Sequence, residues 1–266
     1  MMEDVAKLKM HDLVSKEQTR YCQLLRKNHQ PGEVLIGGDF SENYSPIVQD
    51  AVQSHHWNKQ LATVHPWIVY YLDEEKNLQT KSYACISDRV EHDPATVNKF
   101  QSVLLQDLKE MNLNITKCYY FSDGCPNQYK CRQNFVNLLN HKEDFNIDAE
   151  WHFFATSHGK GPYDGIGGVI KRKAAQESLR RSGRNSIQTP LDLYNYAKDN
   201  IHGIKTFFVS NSEITKHKVA LEKRFLLSKT IKGTKSYHCF VPSDSKTMLC
   251  KLFSTSENFV SVKCTH

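Results

Sequence analysis

Three features of the sequence predict an α/β fold built on a mixed sheet. Three β-like runs follow one another early in the chain, helix-like and strand-like segments alternate after them, and two of the runs stop at an aspartate. Val34-Leu35-Ile36-Gly37-Gly38 ends at Asp39, and the run from Ile115 to Ser122 ends at Asp123. A strand fixes the backbone of such a residue while its carboxylate points into the loops. Two on neighbouring strands can hold one hard divalent cation between them. Either aspartate could also simply start a turn by hydrogen-bonding its own backbone.

Taken in order, residues 12–28 read as an amphipathic helix with Leu13, Tyr21, Leu24 and Leu25 on one side, closed by Gln30-Pro31-Gly32. The strand ending at Asp39 follows. Residues 62–71 and 80–86 are rich in Val, Ile and Tyr and flank the polar turn 73–77, the pattern of a hairpin. Asp93-Pro94 opens a helix through Met111, because Asp caps well, Pro suits the first turn, and Val97, Phe100, Val103, Leu104 and Leu108 share a face. The strand ending at Asp123, a helix over 127–140 and a strand over 149–156 come next, then a helix over 168–182. Three meandering strands followed by helix, strand, helix, strand, helix is the order of the ribonuclease H-like fold. The expectation is therefore an N-terminal helical segment over 1–32 and a ribonuclease H-like core over 33–184, a mixed five-stranded sheet flanked by helices. A small, basic, β-rich extension is expected over 185–266, with a short helix over 190–201 and β-like runs at 206–209, 236–241 and 258–262.

Composition narrows the class. With 39% hydrophobic residues, twelve glycines and eight prolines, the 266 residues are globular in character. No run approaches the roughly 18 apolar residues of a membrane span, and the mixed-charge N-terminus lacks a signal-peptide core, so a soluble intracellular protein is expected. The eight cysteines are scattered, several within apolar runs, which suits reduced, buried thiols. The net charge of +6 is uneven: residues 205–266 carry 11 Lys+Arg against 4 Asp+Glu, and the rest 24 against 25. A basic last quarter favours a polyanionic partner, nucleic acid first, although a solvated face gives the same count.

Between 159 and 168 five glycines fall in ten residues, which predicts an irregular, closely packed backbone. It lacks both the Walker spacing and the G-x-G-x-x-G order. Within it lies a third carboxylate, Asp164, near the end of the fifth strand; Glu177 in the following helix competes for the same role, and Asp164 is preferred. Lys130, Arg132 and Lys160 adjoin these segments, and Lys171 and Arg172 follow. These five cations are candidates for neutralising backbone phosphates. Glu42 and Asn43, just after Asp39, could support a metal shell or cap the next segment. Trp67 and Trp151 read as core. Cys125, Cys131, His152 and His158 form a rival zinc set, but the C-x5-C and H-x5-H spacings are wider than those of the usual fingers, which disfavours structural Zn²⁺. No local signature supports a cysteine protease.

Three blocks carry a resemblance: 39–45 (DFSENYS), 121–124 (FSDG) with Gln128-Tyr129-Lys130, and 156–168 (TSHGKGPYDGIGG). They resemble a group of largely uncharacterised animal proteins that look derived from cut-and-paste DNA transposons, and weaker similarity extends from Glu17 to about His238. The resemblance implies a ribonuclease H-like transposase core of the DDE/D type, with Asp39, Asp123 and Asp164 as catalytic acids holding Mg²⁺ or Mn²⁺. It also implies DNA as partner and a nuclear location, involves no membrane, and leaves a homo-oligomer open. Transposases of this type usually carry a separate N-terminal DNA-binding domain, often zinc-dependent. None is recognisable in these residues, so either a fragment or domesticated remnant is expected, or end recognition is done elsewhere. The function is then metal-dependent DNA cleavage and strand transfer or a relic of it, or that of a catalytically silent DNA-binding or scaffolding protein.

Overall fold

Alternation of side chains decides the architecture. In β1 (Glu33–Gly38), β2 (Thr63–Leu72), β3 (Leu78–Ser87) and β4 (Lys117–Ser122), Val34, Ile36, Trp67, Val69, Tyr83, Cys85, Cys118 and Tyr120 turn to one face. Leu35, Ile68, Tyr70, Ala84, Ile86, Tyr119 and Phe121 turn to the other. Both faces are apolar, so each must be covered. A computed structural model describes residues 2–47, 60–155, 161–181 and 186–266. In it, α2 (Pro94–Glu110), α3 (Arg132–Leu139) and α7 (Asn211–Leu226) cover the first face. The second is covered by α1 (Met2–Lys27), α5 (Pro162–Arg180) and α6 (Pro190–Asn200). A one-turn α4 (His141–Phe145) leads into β5 (Asp148–Phe153).

The first three strands are antiparallel in succession, and β4 and β5 run parallel to β1. The β2–β3 turn is fixed by Asp73, whose Oδ1 accepts from the amides of Glu75 at 3.0 Å and Asn77 at 2.8 Å. Asp93 caps α2 by accepting from the Thr96 amide at 2.9 Å. Trp67 and Trp151 are both buried in the core.

Five strands were expected, and the sheet has nine, in the order β6-β3-β2-β1-β4-β5-β7-β8-β9. β6 (Ile204–Phe208) pairs parallel with β3, while β7 (Cys239–Pro242), β8 (Thr247–Lys251) and β9 (Val260–Lys263) add antiparallel beyond β5. The physical reason is edge pairing: β3 and β5 would each present a row of unpaired backbone groups, and the last quarter supplies strands to both. That quarter is also not wholly β-rich, since α7 spans 16 residues with a Ser210–Glu213 capping box.

The glycine-rich segment corrects a second expectation. Its backbone is helical from Pro162, six residues before the expected start, because Pro162 occupies the first turn and the Asp164 carboxylate accepts from the Gly161 amide at 2.8 Å. The expected helix over 127–140 is shorter, starting at Arg132 after a turn closed on the Cys125 carbonyl.

Candidate functional site

Asp39 owes its position to its neighbours on either side. A Cβ on Gly38 would stand 2.2 Å from the Trp67 ring, and one on Gly37 would press Tyr163 at 3.3 Å and Ile68 at 3.2 Å. The Gly37-Gly38 pair thus lets Trp67 pack on one face of β1 and Tyr163 of α5 on the other, close to the strand end. Pro66 then ends the ladder. Val64 turns its backbone toward the β1 side, where its carbonyl accepts from the Ser41 amide at 3.1 Å. By alternation Pro66 faces the same way, opposite Asp39, and has no N–H to give. The β1–β2 pairing stops at Gly38–Trp67, and Asp39 leaves the sheet.

On β4 the same thing happens two residues past the matching pair. Gly37 is in register with Phe121, so Asp39 and Asp123 follow side by side at the ends of adjacent parallel strands in the middle of the sheet. Each carboxylate is held at one oxygen by its own turn: Oδ1 of Asp39 accepts from the Phe40 amide at 2.8 Å, and Oδ1 of Asp123 from the Cys125 amide at 3.0 Å. Asp39 also takes a hydrogen bond from the Tyr129 hydroxyl. Asp164 reaches the same region from the first turn of α5. Its charge raises both other aspartates, while its own Oδ2 accepts from Gly161. Burial, then Asp123, with a smaller contribution from Asp164, push Asp39 up to about 7, against the Phe40 amide and the Tyr129 hydroxyl, which favour the ionised form. Burial and Asp164 also raise Asp123.

Around the acids stand residues that the sequence did not single out as functional. Tyr129 is fully buried, and burial followed by Asp39 and Asp123 drives its hydroxyl well above the usual phenol value. Its oxygen lies 2.7 Å from Nε2 of His65, a ring held neutral by burial, with its pKa lowered to about 3. Tyr163 feels all three aspartates. Tyr129 does lie in the Gln128-Tyr129-Lys130 block, which was the one available signal; nothing marked His65, 64 residues away.

The cations separate. Lys130 is partly buried over the Phe153 ring, 5.3 Å from its centre, and its stem runs beside Gly124, next to Asp123; burial lowers its pKa to about 8. Arg132 opens α3 exposed, and Arg172 is exposed on α5. Lys171 donates to the Glu42 carbonyl at 3.0 Å, tying α5 to the segment after Asp39. Lys160 and His158 lie outside the described residues. Glu177 bonds Arg181 at 2.9 Å, 13 residues or about 20 Å of helix from Asp164. Asn43 does not reach the acids; its Oδ1 accepts from Thr63 at 3.0 Å and pairs with His92 Nε2 at 2.9 Å. His152 faces Glu150 and Cys239, so among the described residues it forms no close group with Cys125 and Cys131.

None of the curated proteins matches this sequence. No helix among the described residues is long and apolar enough to cross a membrane. A family model described as a domain of unknown function, DUF8701, matches residues 18–254. Those limits are Gln18 of α1 and Ser254 just after β8, and the Ser254 amide donates to Gln18 Oε1 at 2.9 Å. Covering most of the sheet, all three aspartates and the ends that close on each other, the match makes this chain a member of the DUF8701 domain family.

Proposed function

We propose that the chain is a transposon-derived protein with a ribonuclease H-like core that cleaves or joins DNA phosphodiesters using Mg²⁺ or Mn²⁺, in the nucleus. The observation that carries the reading is the placement of Asp39 and Asp123 at the ends of adjacent parallel strands, with Asp164 delivered beside them by the next helix. The central strand order β3-β2-β1-β4-β5, with only β2 reversed, is the order this reading requires.

The donor set suits a hard divalent cation. All its donors are carboxylate oxygens; burial, then repulsion from Asp123 and Asp164, raises Asp39 to about 7, and a cation in their midst would offset that repulsion. Bound there, such an ion would polarise a phosphate oxygen and activate a water or hydroxyl nucleophile. The residues do the rest. A backbone amide holds one oxygen of Asp39 and one of Asp123, and the Tyr129 hydroxyl also bonds Asp39. Tyr129 favours the ionised form of Asp39, the form that would bind the ion. Lys130, beside the Asp123-Gly124 turn and donating to the Lys235 carbonyl at 3.4 Å, would turn to a DNA phosphate on this reading, and Arg132 lies exposed two residues further on.

A specific observation favours a second reading, a silent DNA-binding or scaffolding descendant. Asp164 spends one oxygen on capping α5, and the three aspartates do not bring donor atoms within 4.8 Å of one another. One experiment separates the two. With Mn²⁺, the purified protein should nick supercoiled or branched DNA, and Asp123→Asn should lose this by at least about a hundredfold with little change in DNA affinity. Equal nicking by both proteins would mean a contaminating nuclease. Tight DNA binding without nicking in either metal would establish the silent reading.

A further inference from the structure

A second cluster of ligating side chains lies away from the aspartates, on the sheet face beneath α1. Glu150 and His152 are alternate residues of β5 and share that face, and Cys239 of β7 is the cross-strand partner of His152. One donor atom from each lies within 4.8 Å of the other two, and among the described residues this is the one group of three or more that comes so close. His152 and Cys239 are buried, with relative exposures of 0% and 1%.

His152 carries the argument. Its Nδ1 meets the Ser254 hydroxyl at 2.8 Å, and Tyr21, Tyr119 and Phe121 pack around the ring, so its orientation is fixed. Its Nε2 is buried and has no hydrogen-bond partner. The nearest carboxylate oxygen, Glu150 Oε2, stands 3.4 Å away. A charge-assisted hydrogen bond would close to about 2.7–2.9 Å. Two donors bound about 2.1 Å from a tetrahedral ion stand about 3.4 Å apart, the separation seen here. A buried imidazole nitrogen grouped with a carboxylate and a thiol at ligand spacing gives three of the four donors of a tetrahedral shell.

We propose that Glu150, His152 and Cys239 form a binding site for Zn²⁺, with Ser254 as the group that orients His152. Nitrogen, sulfur and oxygen donors together select a borderline ion such as Zn²⁺ and discriminate against Mg²⁺, which wants oxygen alone. The thiol gives up its proton to solvent on binding, so the ion meets two negative ligands and one neutral one. Lys117, which bonds Glu150 Oε1 at 2.5 Å, and Lys251, which faces Cys239 across the β7–β8 pair, neutralise that side of the cluster. Without the ion, Lys117 keeps the Glu150 carboxylate paired. Tyr21 of α1 covers the remaining side, its ring centre 5.1 Å from that of His152. Filled, the site would tie β5 and β7 together directly under α1, the junction at which the last quarter of the chain joins the sheet.

The test uses the full chain stripped with a chelator and titrated with CoCl₂ and then ZnCl₂. One equivalent of Co²⁺ should give visible bands of a four-coordinate ion and a sulfur-to-metal charge-transfer band, both displaced by Zn²⁺. Cys239→Ser should remove the charge-transfer band. Ser254→Ala, which touches no ion, should weaken Zn²⁺ about 10–100-fold while keeping the band. Glu150→Gln, on the partly exposed edge of the cluster, supplies a ligand variant with little risk to folding and should weaken Zn²⁺ at least about tenfold. Asp123→Asn should bind as wild type, which separates this site from the aspartates. Absence of stoichiometric uptake, or a band that survives in Cys239→Ser, overturns the proposal.

Discussion

The phenolic oxygen of Tyr129 sits 2.7 Å from Nε2 of His65 and bears on the Asp39 carboxylate from the other side. With the His65 proton on Nε2, the imidazole donates to the phenol and the phenol donates to the carboxylate, so a buried chain of hydrogen bonds ends at the acid. Tyr129→Phe keeps the ring and cuts this chain. Asp39 should then titrate above its present value of about 7, since a bond that favours its ionised form is gone. Stability should fall by about 1–3 kcal/mol for the orphaned His65 donor. Carboxyl carbon NMR reads the first effect and urea unfolding the second; an Asp39 titration that does not move would take Tyr129 out of contact with it.

Asp39 also makes stability depend on pH in an unusual direction. Its pKa is about 7 in the folded chain, against about 3.9 when unfolded. Between those values the native state holds a proton that the unfolded state has lost. The Asp39 contribution to metal-free stability should therefore be complete below about pH 4, be lost as pH rises toward 7, and level off above it. It runs against the opposite slope of the buried His65 and His141 and the partly buried His238, whose pKa values are lowered. Asp39→Asn should flatten this slope and be the more stable protein at pH 8, by up to a few kcal/mol. Mg²⁺ or Mn²⁺ should raise the melting temperature of the wild type near pH 8 and leave the Asn variant unmoved. A stability difference between wild type and Asp39→Asn that does not change from pH 4 to 7 would rule out a buried, repelled Asp39.

Two glycines offer a matched pair. Gly38→Ala places a methyl 2.2 Å from the Trp67 ring and should cost about 1–3 kcal/mol or more. Gly168→Ala, inside α5 with open space around it, should gain up to about 1 kcal/mol from helix propensity. Denaturant midpoints measure both. Equal effects would mean that the β1 end does not pack as tightly as its glycines imply.

DNA affinity should fall steeply with salt. Replacing Lys130, Arg132, Lys171 and Arg172 by Gln should lower the slope of log affinity against log salt by about 0.9 for each phosphate contact removed. Fluorescence anisotropy at several salt concentrations gives that slope. Cutting away residues 205–266 is the wrong experiment, because it removes β6 to β9 and α7 with the charge. A slope unchanged in the fourfold variant would move the DNA-binding surface elsewhere.

What the sequence disclosed was local. Asp39 and Asp123 were legible because a strand and the turn that ends it occupy ten consecutive residues, and the helix at Asp93-Pro94 announced itself by its cap. α7 was not legible, since only Ile214 and Leu221 of its 16 residues are buried, too sparse an apolar face to stand out among Lys and His. The side strands were misjudged for a different reason: runs of four or five residues at 204–208 and 239–242 carry no mark of which edge they will join. His65 and Cys239 belong to their clusters only through sheet register, β2 against β1 in one case and β7 against β5 in the other.

Gln18 reaches across most of the chain. Fully buried on α1, its amide donates to the carbonyls of Phe153 and His238, both at 3.0 Å, and its oxygen accepts from the amide of Ser254. A chain made from its N-terminus must therefore carry α1 through more than 230 residues of synthesis before the last of these partners exists. Closure of the sheet over α1 has to wait for contacts far apart in sequence, which are slow to form. Until then the buried side of the first helix is the surface most in need of a chaperone.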